Sequence, residues 1–381
     1  MQNGIDKVLT TPILAKIKNS RLGLVTNNAS KSAEGEFSRI SLLKAGFHLV
    51  KLFSPEHGIS AKGIDGAFQQ DKIDEKTELP IISLYGSAIK PSNTNLSDID
   101  VLLFDMPDVG CRFYTYLWTM TYVMEACAEC GVKLIVLDRP NPIGIDLSHS
   151  EGPYLNEDAC NSFIGRWSIP IRHSCTLGEL AMYFKALKVP SLDLEIIGVS
   201  NYSRWSNPFI NISPWTPPSP AIRTQLAAYL YPGLGLLEGI NINEGRGTED
   251  PFTICGAPFI DSQYLIHNLE FDAVKIQPIE YIPGEGLYTG EKCYGIKFSQ
   301  IHEKNIMPVS LGIQLLSILM KLYPEIIKQR LYKTNVNPSG ENHLNRLIGV
   351  PGAFEKLKTP FEFKINIQDD WVKKIKPYLI Y

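Results

Sequence analysis

Short apolar runs alternate with helical segments from the N-terminus to Asp138. Runs with the composition of buried strands occupy residues 21–27, 47–53, 80–86, 100–105 and 132–138. Helical segments separate these runs. The clearest helical segment extends from about Thr115 to Cys130, and Gly131 then supplies a helix stop. Strands that alternate with helices at this spacing predict an α/β fold, with a mainly parallel sheet covered on both faces.

The second half of the chain has a different pattern. A further strand is predicted over residues 192–199, and the five prolines of residues 205–220 predict a long rigid loop. From about residue 256, short alternating runs precede a long helical segment, Val309–Ile327, and together they indicate a smaller α+β unit. We predict two domains, residues 1–238 and residues 239–381, with the smaller C-terminal domain contributing to the cleft.

Polar clusters follow the predicted strands of the first domain, at the point where each strand ends. They are Asn27-Asn28, Glu56-His57, Asp105 with Asp108, and Asp138-Arg139-Pro140-Asn141. Any one of these clusters is most simply a solvated turn. Because the carboxyl ends of parallel strands meet at one edge of a sheet, clusters at successive strands predict a binding or active site there.

A second polar segment, residues 238–252, combines four acids with Arg246 and several glycines. Glycine lets the backbone approach a ligand closely, so Asn243, Glu244 and Arg246 are candidate site residues. A solvated charged loop would have the same composition, and both interpretations stay open at this stage.

Composition and charge exclude several classes of partner. The chain of 381 residues is 44% hydrophobic and 20% charged, with a formal net charge of -3, which does not favour nucleic acid. Apolar runs are too short to cross a membrane, and the N-terminus lacks the apolar core of a secretion signal. Seven scattered cysteines favour free thiols. We expect a cytoplasmic protein, or a periplasmic or secreted one if a signal peptide has been removed.

The familiar cofactor motifs do not occur in the sequence. The turn after the first strand is Asn27-Asn28-Ala29-Ser30 rather than a Gly-x-Gly-x-x-Gly loop, and neither a Walker A loop nor His-Glu-x-x-His is found. We therefore predict no nucleotide cofactor and no metal. Carboxylates, arginines and asparagines at the sheet edge suit glycoside hydrolysis, and equally a hydrolase that binds a carboxylate or phosphate.

Several long motifs resemble one family. They lie at residues 52–58 (Leu-Phe-Ser-Pro-Glu-His-Gly), 104–116, 138–144, 151–153, 171–173 and 243–248. Together they are similar, over essentially the whole chain, to the bacterial exo-β-N-acetylmuramidases. Ile145 stands where that family has a second glycine, which removes no functional group.

The resemblance implies a Rossmann-like N-terminal domain without nucleotide, a smaller C-terminal domain and a site in the cleft between them. It implies release of terminal β-linked N-acetylmuramic acid from the non-reducing end of peptidoglycan fragments. The expected partners are therefore peptidoglycan-derived sugars or muropeptides.

Family and chemistry together make Glu56 the expected general acid/base, with His57 orienting it and Glu244 as the second carboxylate ahead of Asp105 and Asp108. Arg112, Arg139 and Arg246 are candidates for binding the lactyl carboxylate of muramic acid. The remaining expected substrate-binding residues are Asn27, Asp105, Asp108, Tyr114, Tyr116, Asn141 and Asn243.

Two alternatives stay open beside the glycosidase. One is a non-catalytic muropeptide-binding or sensing protein on the same fold, which is favoured if the acids do not face one cleft. The other is a metal-assisted hydrolase that uses His57, His173 and Asp105. The distance between the carboxyl groups bears on whether a glycosidase retains or inverts the anomeric configuration.

Overall fold

The computed structural model describes residues 1–205, 215–269, 271, 274–301, 306–358 and 363–381. Its strands are β1 (Leu22–Val25), β2 (Leu49–Ser54), β3 (Lys72–Ile73), β4 (Pro80–Ser83), β5 (Val101–Phe104), β6 (Lys133–Leu137), β7 (Leu194–Ile197), β8 (Ile254–Ala257), β9 (Val274–Tyr281) and β10 (Cys293–Ile301). Residues 206–214 of the predicted proline-rich loop lie outside the described residues.

The α-helices of the described residues are α1 (Gly4–Thr10), α2 (Ser38–Lys44), α3 (Asn93–Leu96), α4 (Thr115–Cys130), α5 (Glu157–Cys160), α6 (Leu177–Lys188), α7 (Gln225–Leu234), α8 (Ser262–His267), α9 (Pro308–Leu322), α10 (His343–Ile348), α11 (Ala353–Lys358) and α12 (Gln368–Ile375). Helix α4 has the predicted bounds, and Gly131 ends it in the left-handed conformation with φ 68°. Helix α9 ends at Leu322, earlier than the predicted Ile327.

A seven-stranded sheet in the order β3-β4-β2-β1-β5-β6-β7 forms the centre of the first domain. All neighbouring strands pair in parallel except β3, which pairs antiparallel with β4. The α/β prediction is confirmed. The two-residue strand β3 lies between the predicted strands at residues 47–53 and 80–86 and was not predicted.

The topology places the ends of β1, β2 and β5 side by side. Strand β1 pairs with β2 on one side and with β5 on the other, so that Val25 lies level with both Phe53 and Phe104. The chain order reverses at β1, which makes this the switch point where parallel sheets bind ligands. The polar clusters that follow these strands therefore share one edge, as predicted.

Apolar side chains bury both faces of the sheet. The smaller core packs α1 and α2 against one face and includes Leu24, Leu52 and Leu103. The larger core covers the other face with α4 and continues without a break into the C-terminal half, through α7, α9 and α12. This continuity fixes the C-terminal half against the sheet edge.

The C-terminal half contains a three-stranded antiparallel sheet in the order β8-β10-β9. Helix α9 packs on α7 so closely that a Cβ atom on Gly233 would lie 1.9 Å from the carbonyl oxygen of Pro308. The predicted domain boundary at residues 238 and 239 falls inside the 3₁₀-helix Gly235–Gly239, and its position stays a prediction. None of the described helices combines the length and the apolar character needed to span a bilayer.

Candidate active site

A pocket of about 780 Å³ lies where the end of β2 meets the C-terminal half of the chain. Polar and charged side chains that line it include Glu56, His57, Asp65, Tyr85, Thr115, Glu238, Arg246, Tyr332, His343 and Arg346. Five further aromatic residues also line the pocket: Phe113, Tyr114, Phe163, Tyr231 and Phe252. Aromatic faces of this kind suit the apolar face of a sugar ring.

Glu56 is held at the pocket wall by two hydrogen bonds. Strand β2 ends at Ser54, Pro55 stops the ladder, and Glu56 follows with 5% of its surface exposed. One carboxyl oxygen accepts a 2.8 Å bond from the Thr115 hydroxyl at the start of α4, and the other accepts a 2.9 Å bond from the Gly66 amide. Burial raises the pKa of Glu56, and nearby Asp65 adds to that rise while His57 opposes it.

His57 adopts a left-handed backbone conformation, with φ 66°, which is uncommon for a residue with a side chain. Its Nδ1 atom lies 2.8 Å from the carbonyl oxygen of Gly63, and because a carbonyl only accepts, Nδ1 carries the proton. The other ring nitrogen, Nε2, then faces Asp65 at 4.0 Å. His57 is therefore oriented towards an acid that the sequence did not single out.

Asp65 has two partners that favour its anion, Tyr332 and Arg246. The Tyr332 hydroxyl donates to its Oδ2 atom, and Arg246 Nη2 lies 3.6 Å from the same oxygen. Burial by itself raises the pKa of Asp65, but Arg246, His57 and the Tyr332 hydrogen bond outweigh burial and lower it. About 30% of the side chain remains exposed, so that a ligand can reach the carboxylate.

Glu56 and Asp65 therefore form a pair with opposite protonation preferences. One oxygen of each carboxyl group and one ring nitrogen of His57 lie within 4.8 Å of one another. The raised pKa of Glu56 favours its neutral acid form, while the lowered pKa of Asp65 favours its anion. Acidic groups whose environments separate their pKa values in this way are typical of acid and base roles at one site.

The loop that carries Asp65 is fixed from the C-terminal half of the chain. Gly66 has φ 67°, and a Cβ atom there would lie 2.7 Å from Thr334 Cγ2, so only glycine fits between the two segments. The Asn335 amide donates a 2.9 Å hydrogen bond to the Gly66 carbonyl oxygen. The C-terminal half thus positions both Asp65 and the amide that binds Glu56.

Arg246 is the centre of a charge network at the pocket wall. Its Nη2 atom lies 2.7 Å from Glu238 Oε1, and its Nε atom lies 3.1 Å from Glu244 Oε1. His343 Nε2 is 3.6 Å from the other Glu238 oxygen, and its ring stacks on Tyr332 with centroids 4.3 Å apart. Burial raises the pKa of Glu238, but Arg246 and His343 outweigh it, and the pKa is lowered.

Glu244, the predicted second carboxylate, does not line the pocket. It is 1% exposed and pairs with Arg246 and with Arg330, whose Nη1 atom lies 3.4 Å from Glu244 Oε2. Arg246 separates Glu244 from Asp65, and this position gives no support to a catalytic role. Burial raises the pKa of Glu244, which the arginines only partly oppose.

Asn27 and Tyr116 lie behind the Glu56 wall. Asn27 Nδ2 donates a 3.0 Å hydrogen bond to the Tyr116 hydroxyl, which in turn donates to the Pro218 carbonyl oxygen at 2.9 Å. Both side chains are fully buried. Their hydrogen bonds support the turn after β1 and leave neither group facing the pocket.

Asp105, Asp108, Arg139 and Asn141 form a separate group at the ends of β5 and β6. Asp105 accepts two hydrogen bonds from Arg139, Nε at 2.6 Å and Nη2 at 3.0 Å. Asn141 Nδ2 donates to the Cys175 carbonyl oxygen at 3.0 Å. Asp108 and Arg139 line another cavity, of about 1010 Å³, which does not include Glu56.

The side chains of Arg112 and Asn243 form hydrogen bonds with the backbone. The Arg112 guanidinium is 0% exposed and donates to the carbonyl oxygens of three residues, Pro153, Ile169 and Leu347. Asn243 is equally buried, and its Oδ1 atom accepts from the Gly245 amide at 2.9 Å, which shapes the loop that carries Arg246. Neither side chain lines the pocket, so neither is retained as a substrate contact. Of the predicted site residues, the pocket brings together Glu56, His57, Tyr114 and Arg246.

The metal-assisted alternative required His57, His173 and Asp105 at one place. His173 Nε2 instead lies 3.5 Å from Asp108 Oδ2, and Asp105 is paired with Arg139. Within the described residues, the group with the spacing of a metal site is Glu56, His57 and Asp65. Two carboxylates and an imidazole are ligands that a divalent cation accepts.

Several polar residues of the pocket were not predicted from the sequence, among them Asp65, Glu238, Tyr332, His343 and Arg346. Glu238 begins the polar segment 238–252, so its composition was a usable signal. Asp65 lies in a polar stretch without apolar periodicity, and Tyr332 and His343 follow α9 outside the motifs. For these three residues, only the tertiary contacts identify the site.

The fold and the pocket together define an α/β protein whose site pairs a neutral acid with an anion, which is the arrangement that glycosidases use. Comparison with known sequences narrows the class. The family model described as exo-β-N-acetylmuramidase NamZ, N-terminal, matches residues 22–226, and its C-terminal counterpart matches residues 229–381. The chain therefore belongs to the exo-β-N-acetylmuramidase family, which confirms the resemblance seen in its motifs.

Individual relatives agree with this assignment. The peptidoglycan β-N-acetylmuramidase NamZ of Bacillus subtilis (strain 168) is 37% identical over 386 residues, which cover 100% of this chain and 91% of the relative. Crystal structures of two DUF1343 family proteins from Bacteroides fragilis NCTC 9343 have the same fold. Their TM-scores are 0.86 and 0.73 at 26% and 27% identity, with 100% of this chain and 98% of each structure covered.

Proposed function

We propose that this chain is an exo-acting glycoside hydrolase that releases terminal β-linked N-acetylmuramic acid from the non-reducing end of peptidoglycan fragments. The single observation that carries the mechanism is the pair formed by Glu56 and Asp65, which have opposite pKa shifts and oxygens within 4.8 Å. Family membership supports the substrate and the reaction.

Glu56 acts as the general acid. Because its pKa is raised, it holds a proton that it can deliver to the glycosidic oxygen as the bond to the leaving sugar breaks. The Thr115 hydroxyl can donate to the ionised carboxylate or accept from the neutral acid, so its 2.8 Å bond survives both protonation states.

Asp65 replaces Glu244 as the second carboxylate in this proposal. Its anion faces the pocket beside Glu56, where it stabilises the positive charge that develops at the anomeric carbon. Oxygens within 4.8 Å fit the separation of about 5 Å in retaining enzymes better than the roughly 6.5–9.5 Å of inverting ones. In the retaining sequence, Asp65 attacks the anomeric carbon, and a water deprotonated by Glu56 then displaces Asp65.

His57 and Tyr332 are positioning residues for this pair. His57 presents Nε2 to Asp65, and Tyr332 donates its hydroxyl proton to the same carboxylate. The Tyr332 hydrogen bond favours the anion of Asp65, and His57 does so in its imidazolium form, in which Nε2 as well as Nδ1 carries a proton.

The substrate assignment is tested with a chromogenic β-N-acetylmuramide and the matching β-N-acetylglucosaminide. We expect release from the muramide and little or none from the glucosaminide, with the β-anomer of N-acetylmuramic acid formed first in a proton NMR time course. A chain that binds the muramide without cleaving it would instead be the muropeptide-binding protein of the alternative hypothesis.

The Glu56, His57 and Asp65 group favours one second candidate, a metal-assisted hydrolysis. Dialysis against EDTA followed by the muramide assay separates the two mechanisms. Unchanged activity supports the acid–anion pair, whereas loss of activity that Zn²⁺ or Mg²⁺ restores supports the metal mechanism.

We also propose that the protein works in a reducing compartment. All seven cysteines are free thiols in the structure, and most of them are buried. This supports the expectation of a cytoplasmic location, which fractionation of cells that express the native gene would test.

A further inference from the structure

Muramic acid differs from glucosamine by a lactyl ether that ends in a carboxylate. The pocket already carries the anions of Asp65 and Glu238, whose pKa values are both lowered. A further negative charge from the substrate would be repelled unless a cation with no other partner faces it. Selective binding of a muramide therefore requires such a cation in the pocket wall.

None of the arginines predicted from the sequence meets this requirement. Arg112 is fully buried against backbone carbonyls, and Arg139 is paired with Asp105 at a different cavity. Arg246 lines the pocket, but Glu238, Glu244 and Asp65 surround its guanidinium. The charge of Arg246 is thus already compensated by protein carboxylates.

Arg346 differs from all three. It lies on α10, three residues after His343, so that the two side chains share one face of the helix and both line the pocket. Among the residues that the structure describes, no carboxylate lies within ion-pair distance of Arg346 and no hydrogen bond engages its guanidinium. The side chain is partly exposed to the pocket rather than buried.

We propose that Arg346 is the specificity-determining residue that binds the lactyl carboxylate of the terminal muramic acid. The inference rests on the proposed function, since it concerns the substrate of that same pocket. A planar guanidinium matches a carboxylate with two parallel hydrogen bonds, which an ammonium group cannot reproduce.

The surroundings of Arg346 fit the rest of the lactyl group. Leu347, the next residue, lines the same pocket together with Ile164 and Val336. These apolar side chains suit the lactyl methyl group beside the carboxylate. On this arrangement, the muramide is recognised at the α10 wall and cleaved at the Glu56 wall.

The test compares three substrates with one leaving group: the β-N-acetylmuramide, its neutral lactyl carboxamide and the β-N-acetylglucosaminide. We expect Arg346→Met to lower kcat/KM for the muramide by about 10- to 100-fold, mainly through KM. For the carboxamide, the same substitution should lower kcat/KM by less than about threefold, because this substrate lacks the charge that Arg346 binds. Arg346→Lys should lie between the wild type and Arg346→Met on the muramide.

Lys356→Met is the matched control. Lys356 and Arg346 both act electrostatically on Cys160, so they occupy one neighbourhood, yet Lys356 does not line the pocket. Lys356→Met should change kcat/KM for the muramide by less than about twofold, since it removes a positive charge without removing a substrate contact.

Two outcomes would overturn the inference. One is an Arg346→Met variant that loses as much activity on the carboxamide as on the muramide, and the other is a variant that loses none on either. Failure of the proposed function gives a different result, in which the wild type cleaves no muramide at all. Calorimetric binding of N-acetylmuramic acid to the wild type and to Arg346→Met then decides the inference without catalysis.

Discussion

The two acidic clusters at the edge of the parallel sheet have similar sequences and different surroundings. Glu56 follows β2, and Asp105 follows β5, and both carboxyl groups are almost completely buried. Asp105 is neutralised by two hydrogen bonds from Arg139, which the Lys31 carbonyl and the Ser38 hydroxyl help to hold. Glu56 is bound by one hydroxyl and one amide, and it lines an open pocket.

The difference comes from the segment that covers each strand end. Arg139, which follows β6, completes an ion pair with Asp105, and the Lys31 carbonyl and Ser38 hydroxyl from the start of the chain hold Arg139 there, which makes that cluster structural. The C-terminal half covers the end of β2 and supplies Arg246, Tyr332 and His343, leaving a cavity between them. A carboxylate at a strand end can therefore be assigned a structural or a catalytic role only when the segment packed over it is known.

The largest expected effect is that of Asp65→Asn. Loss of the anion that faces the anomeric carbon should lower kcat/KM for the muramide by about 10⁴-fold. Asp108→Asn, at the other cluster, is the matched control and should lower it by less than about tenfold. Comparable losses in both variants would erase the distinction between the two clusters.

Asp105→Asn should act on stability instead of catalysis. It leaves the partly buried Arg139 without its carboxylate partner, at a cost of about 3–5 kcal/mol in the free energy of unfolding. Urea unfolding followed by circular dichroism measures this cost, and activity per folded molecule should stay within about threefold of the wild type. A stable but inactive variant would place Asp105 in the reaction after all.

The smallest expected effect is on the pH profile. We expect kcat/KM for the muramide to fall by about tenfold per pH unit on each side of its optimum. Activity needs Glu56 protonated, and its raised pKa moves the alkaline decline to higher pH. It also needs Asp65 ionised, and its lowered pKa moves the acidic decline to lower pH. In the Glu56→Gln variant, the alkaline decline in kcat/KM should disappear while the acidic one remains. A profile identical to that of the wild type would exclude Glu56 as the titrating acid.

The sheet, its parallel order and the site edge could be predicted because they depend on local apolar patterns. The runs at residues 21–27, 47–53 and 100–105 each became a strand, and Glu56 and His57 lie at the predicted edge. Asp65, Tyr332 and Arg346 could not be predicted in this way. They meet only when the C-terminal half packs against the loop after β2, a contact that leaves no periodic signal in the sequence.

The interaction partners of the arginines were the feature least predictable from the sequence. Arg112, Arg139, Arg246 and Arg346 have the same chemistry in the sequence, but their availability to a ligand is decided by what surrounds them in the fold. Three of them are already engaged by carbonyls or carboxylates, as described above. Burial and pairing are properties of tertiary structure, so residue type alone indicates a possible role and not an actual one.

The most direct test of the Glu56–Asp65 pair varies the leaving group of the muramide. Departure of an acidic dinitrophenol needs little help from a general acid, whereas departure of a sugar needs a proton. We expect Glu56→Gln to keep kcat/KM within about tenfold of the wild type for the dinitrophenyl muramide and to lose about 10³-fold for a muramyl disaccharide. Asp65→Asn should lose about 10⁴-fold on both substrates. Equal losses for Glu56→Gln on the two substrates would contradict its role as the general acid.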